Sequence, residues 1–149
     1  MMFMNGVLGG LVGITAGADL MLPTSSIIIG FISGPVVFLS SSLLEKAELD
    51  DPVGAIPVHL FCGIWGTLAV GIFGSLASFD QFMIQLACVG ITGVFCIVAG
   101  TIIVQLVKAV KGLRVTEEAE EAGLDISEHD GSLAYAQFQI TSKKYHSGK

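Results

Sequence analysis

Asp50 to Gly71 reads DDPVGAIPVHLFCGIWGTLAVG: two carboxylates and a proline, then a run without formal charge that holds one histidine, His59. Everything after that histidine is apolar or small. His59 lies eight residues past Asp51, about 12 Å along a helix that starts there. That reaches well towards the midplane of a hydrocarbon core roughly 30 Å thick. Pro52 suits a helix start, where a missing N–H costs nothing. Pro57 frees a backbone carbonyl in the early turns, which a neighbour or a cavity has to satisfy. The stretch therefore reads as a membrane helix carrying a titratable group.

The rest of the chain supports a membrane class. Of its 149 residues 52% are hydrophobic and 13% charged, with a mean hydropathy of +0.78, whereas a soluble domain carries about 25% charged residues. The charges are segregated. Between Met1 and Val107 they are Asp19, Glu45, Lys46, Glu48, Asp50, Asp51 and Asp80, and the other thirteen lie beyond Val107. The net charge is −6, and no basic patch exists to neutralise phosphates, which excludes nucleic acid as a partner.

Four charge-free windows stand out, Met1–Ala18, Leu20–Leu44, Pro52–Phe79 and Gln81–Val107, against the ~20 apolar residues a spanning helix needs. Backbone groups in lipid must be satisfied within the segment. The expected fold is therefore all-α: a polytopic membrane protein with four transmembrane helices near 2–18, 24–44, 55–76 and 82–107 within residues 1–112, followed by an acidic cytoplasmic tail over 113–149. The first window is not read as a cleaved leader, since no lysine or arginine precedes Lys46 to form a positive n-region. Lys46 in the second connection and Lys108, Lys111 and Arg114 after the fourth helix place those regions in the cytoplasm by the positive-inside rule, with both termini inside.

Glycines recur four apart at Gly6-Gly10, Gly9-Gly13, Gly13-Gly17 and Gly30-Gly34, and Gly63 and Gly66 put small residues on one face of the third helix. In lipid, helices associate where small side chains let backbones approach. These helices are built to pack against partners. The cysteines Cys62, Cys88 and Cys96 lie in apolar runs without CxxC spacing and read as small packing residues, not as a metal site or a disulfide framework. In the tail, VTEEAEE suits a short helix with Thr116 as N-cap, acidic side chains favouring its first turn.

Chemistry leaves two readings of His59. One is a neutral imidazole that ties helices together by a hydrogen bond. The other is a pore or proton-relay group, suited by a reference pKa of about 6.5 and two distinct ring nitrogens. Asp50 and Asp51 likewise read either as ordinary loop carboxylates or as caps that, with Pro52, pin the start of the third helix.

DDPVGAIPVHLFCGIWGTLAVGIFG closely resembles the tenth helix of the Amt/Mep/Rh ammonium transporters and the loop before it. NGVLGGLVGITAGAD at Asn5–Asp19 is similar to that family's eighth helix, SSIIIGFISG at Ser25–Gly34 to its ninth, and GLRVTEEAEEAGLDISEHDGSLAY at Gly112–Tyr135 to its cytoplasmic tail. Together these cover most of the chain in the family's order. The resemblance implies a C-terminal part, about helices 8–11 plus the tail, of an eleven-helix subunit in a homotrimer. Each subunit has its own hydrophobic pore, where ammonium is recruited, deprotonated and passed as ammonia along two stacked histidines. His59 matches the second histidine; the first belongs to the fifth helix, absent here. Thr15 matches a position near the path. Gly123 and Asp125 match the tail's GLD element, and Ser127 falls where some eukaryotic members carry a phosphorylatable threonine. The sequence departs at EHDGSLAY, with a longer spacing before the tyrosine. PII signalling proteins can block the cytoplasmic face of family members.

The reading is therefore ammonium/ammonia transport by a pore that needs the missing N-terminal helices, from a longer chain or from a second polypeptide, so that this chain alone is not expected to transport. The alternative is a truncated, non-transporting membrane subunit that acts structurally or in regulation beside full-length transporter subunits. No serine–histidine pair, metal-ligand cluster or cofactor motif can be assembled from the residues, so an enzyme, a metal and a cofactor are not expected.

Overall fold

A computed structural model describes residues 2–124, which contain helices and no strand. In chain order they are α1 (Met2–Thr15), α2 (Pro23–Lys46), a π-helical turn (Ile56–Phe61) running directly into α3 (Cys62–Ala69), α4 (Phe79–Lys111) and α5 (Glu117–Ala122). The described residues fall into two compact units, one up to Ala99 and one from Gly100 on. The 24 residues of α2 and the 33 of α4 are long and apolar enough to cross a membrane, about 36 Å and 50 Å at the helical rise. α1 and the Ile56–Ala69 segment are shorter apolar helices.

α2 begins on Pro23, where the absent N–H is no loss, and carries Pro35 inside without ending. The third helix stops sooner than its charge-free window, which extends to Phe79. Beyond Ala69 the backbone tightens into turns, with the Ile72 and Phe73 N–H groups both donating to the Ala69 carbonyl. The Ser75 N–H then donates to the Leu20 carbonyl at 3.1 Å, tying this turn to the one after α1. Hydropathy sees an apolar run; it does not see where the run bends back.

Three segments share a core made of small contacts. α1 buries Asn5, Gly9 and Gly13, each four residues on, and Gly17 follows. α2 presents Ile29, Ser33, Val37, Ser40 and Leu44. The third segment presents Val58, Cys62, Gly66 and Ala69. The register is regular: Gly9 faces Cys62, Gly13 faces Gly66 and Gly17 faces Val70, so α1 and α3 run parallel. Gly9 also faces Val37 and Gly13 faces Ser33 and Ile29, so α2 runs antiparallel to α1.

The closest approach is at Gly66. A Cβ built there would lie against the Gly13 carbonyl oxygen and within 3.0 Å of the Gly13 Cα, so only glycine lets the two backbones touch. Val37, Val58 and Cys62 form the buried cluster, with Val12 and Val36 against it. Polar ties stay local. The Ser33 hydroxyl donates to the Ile29 carbonyl at 2.9 Å, and the Trp65 indole N–H donates to the same carbonyl at 3.2 Å, linking α3 to α2. Such bonds satisfy groups that lipid cannot.

The outer faces are apolar: Phe3, Phe31, Leu39 and Ile27 are among many large side chains turned outward, as expected where the solvent is hydrocarbon. α4 has no buried residue.

From Gly100 on, the end of α4 is followed by α5, whose Thr116 hydroxyl accepts the Ala119 N–H at 3.3 Å. Arg114 pairs with Glu120 at 2.6 Å, both largely exposed, a contact worth little in water. A helix of six residues is marginal by length, so its cap matters. Thr116→Ala is expected to cost about 1 kcal/mol, read as roughly fivefold faster amide exchange at Ala119; unchanged exchange would show that the cap carries nothing.

Candidate functional site

The loop that opens the third segment is tied at both sides. Asp51 Oδ1 accepts the Ala55 N–H at 2.9 Å and Oδ2 accepts the Ile56 N–H at 2.8 Å, so one carboxylate caps two free donors of a helix start. The Gly54 N–H donates to the Asp51 carbonyl at 3.1 Å, closing the turn that contains Pro52. Asp50 is exposed and makes no hydrogen bond among the described residues. Gly54 has φ 73°, a left-handed conformation that glycine adopts without penalty. A Cβ on it would also collide with the Asn5 amide nitrogen. From α1, Asn5 Nδ2 donates to the Val53 carbonyl at 3.1 Å.

The backbone then takes a π-helical turn over Ile56–Phe61. Such turns are rare and widen the helix by one residue. Pro57 and Val58 point into the core, and Pro57, having no N–H, removes a donor from the turn. His59 and Leu60 point out of it and are exposed. The His59 imidazole has no hydrogen-bond partner among the described residues. It does not tie α3 to α1 or α2. A cavity of about 300 Å³ lies beneath the turn, lined by Asn5, Ser41, Glu45, Asp50, Asp51 and Pro57 among others.

Thr15 is also exposed, its hydroxyl donating to the Leu11 carbonyl at 2.8 Å. The α1–α3 register puts Thr15 beyond the Gly13–Gly66 contact, on the order of 10 Å along the axis from His59. The structure does not bring these two together. Of the two glycines on the third helix, Gly66 makes the backbone contact, while Gly63 has open space beside it. Cys62 is buried, and Cys88 and Cys96 are exposed on α4. Gly123 follows α5 with φ 87°; Asp125 and Ser127 lie outside the described residues. Groups of three or more histidine, cysteine or acidic side chains able to hold a metal are absent among the described residues.

Asn5 escaped the sequence reading as a site residue. Its signal was present: it is the chain's sole asparagine, set in a charge-free window, where polar groups usually have a partner.

Asp51 gives a direct test of the loop. Asp51→Ala leaves the Ala55 and Ile56 donors without this acceptor, an expected cost of about 1–2 kcal/mol, and Asp51→Asn, with one acceptor left, falls between. The check is thermal unfolding in detergent micelles; an alanine variant as stable as the parent would remove the cap from the account.

A family model for the Ammonium Transporter Family matches residues 1–135. The chain is similar to the ammonium transporter Amt2 of Archaeoglobus fulgidus, 37% identical over 92% of this chain and 33% of that protein. It is also similar to the ammonium transporter Amt2 of Methanocaldococcus jannaschii, 42% identical over 84% of the chain and 31% of the relative. The putative ammonium transporter 3 of Caenorhabditis elegans is 35% identical over 84% of the chain and 21% of its own length. The chain thus spans about a third or less of these relatives.

Proposed function

The chain belongs to the ammonium transporter family and is a membrane protein, and on that premise we propose that it forms the C-terminal part of an ammonium transporter and contributes His59 to the pore. The observation that carries this reading is the orientation of His59. The helix that holds it is locked on one side to α1 and α2, yet the imidazole faces the other side without a partner among the described residues. An ionisable group on an apolar helix is costly unless it faces a bundle interior or a water path. Helices outside this sequence supply the opposite wall and the second histidine, and ammonia passes between them.

All four apolar helices cross the membrane as part of an eleven-helix subunit. The parallel run of α1 and α3 supports placing the start of α1 beside the Lys46 loop, on the cytoplasmic side, and the lysines at the end of α4 agree. Subunits assemble as homotrimers. The tail with Gly123, Asp125 and Ser127 works on the cytoplasmic face, where PII proteins bind.

The test is uptake of labelled methylammonium by a transport-deficient cell. Cells making this chain together with the first seven helices of a family relative should take it up, and cells making either part alone should not. Uptake by this chain alone, or none by the pair although both parts co-purify, would overturn the reading; the latter result would favour a non-transporting subunit.

A further inference from the structure

The His59 imidazole has no partner of its own among the described residues, so the backbone beneath it sets its place. That backbone is held on two sides. On the core side, Pro57 and Val58 are buried, Val58 at 2% exposure. On the loop side, a side-chain hydrogen bond to α1 comes from Asn5, itself 7% exposed. Its amide donates to the Val53 carbonyl and lies against Gly54, whose left-handed conformation lets the two approach. The Gly54 carbonyl in turn accepts the Val58 N–H at 3.2 Å, in the residue before His59. The chain of contacts is therefore Asn5 side chain, Val53 carbonyl, Gly54 and its carbonyl, Val58 amide, His59.

Above the turn, α3 is registered on α1 at Cys62, Gly66 and Val70. The π-helical turn over Ile56–Phe61 is the irregular length between these fixed points, wider than α geometry by one residue. If the loop were free, Ile56–Phe61 could relax into α register and turn His59 by about 100° about the axis, the angle per residue of an α-helix.

The geometry points to Asn5 as the positioning residue that holds the π-helical turn and thereby aims His59 away from the α1–α2 core. The inference rests on the pore reading of His59 only for its consequence in transport; the structural relation is independent of it. Asn5 acts through the peptide that it clamps.

The experiment uses the chain in lipid nanodiscs with ¹⁵N-labelled histidine and tryptophan. The His59 imidazole signals, identified by their loss in H59Q, report the turn. The indole N–H of Trp65, bonded to the Ile29 carbonyl of α2, reports the bundle. In Asn5→Ala the His59 signals should shift and split into more than one population, while the Trp65 signal stays where it is. Asn5→Asp is nearly isosteric: its ionised carboxylate cannot donate to the Val53 carbonyl, whereas the protonated acid can. Its His59 signals should match those of Asn5→Ala at neutral pH and return to the parent's, recorded at equal pH, as the pH falls.

His59 signals unmoved by Asn5→Ala would overturn the proposal. So would a Trp65 shift in step with His59, because Asn5 would then be ordinary core. Should Asn5→Ala fail to fold, the Asn5→Asp series decides, and His59 signals in it that ignore pH would overturn the proposal too. None of these readings involves uptake, so a failed pore assignment and a failed clamp give different results.

Discussion

Gly66→Ala is expected to unlock the three-helix core, with a loss of about 3 kcal/mol, the upper range for overpacking. The added methyl would meet the Gly13 carbonyl oxygen and carbon, not the yielding end of a side chain. Backbone at a helix crossing cannot step aside alone; α1 and α3 must move apart, and the Gly9–Cys62 and Gly17–Val70 contacts on either side open with them. In a membrane the loss falls on van der Waals packing, the main force that associates helices there. Gly63→Ala is the matched control, since a Cβ at Gly63 meets nothing within 4 Å and gains up to about 1 kcal/mol of helix propensity. Thermal unfolding in the same detergent should separate the pair by roughly 10 °C. Equal stabilities would show that the close approach is not what holds the core.

His59→Ala is expected to do the opposite: leave the fold and remove the function. The imidazole is exposed and without a partner among the described residues, so its loss opens no cavity and breaks no bond there, and unfolding should stay within about 0.5 kcal/mol of the parent, as for other surface changes. In the transporter assembled with its N-terminal helices, uptake per folded complex should fall at least about tenfold, equal to 1.4 kcal/mol on the barrier. Measured together, the two readouts discriminate between the readings of this residue. A variant that loses stability and uptake in proportion would make His59 a tie between helices, and one that keeps full uptake would remove it from the pore.

Residue by residue, legibility followed the range of the interaction. Thr116 as an N-cap rests on a bond three residues away, and the Asp51 cap on bonds four and five away; both could be read from local pattern. The glycine ladder announced close packing but not its address. Gly63 and Gly66 look alike in the chain, and only the α1–α3 register distinguishes the one that touches backbone from the one with free space. Asn5 reaches a carbonyl 48 residues away, beyond anything that spacing encodes.

Composition and charge by themselves determined that this chain is all-helical along its described length and lives in lipid, because hydrocarbon tolerates neither unpaired backbone nor scattered charge. They also located the charged loop before His59 and the acidic tail. The tertiary structure decided which way His59 faces. A π-helical turn has no hydropathy period of its own, and the direction of a side chain on it depends on contacts that hold the backbone from another helix. For the same reason the third helix ends at Ala69 within a longer apolar run: the stop comes from the turn tied back to Leu20, not from a change in residue type.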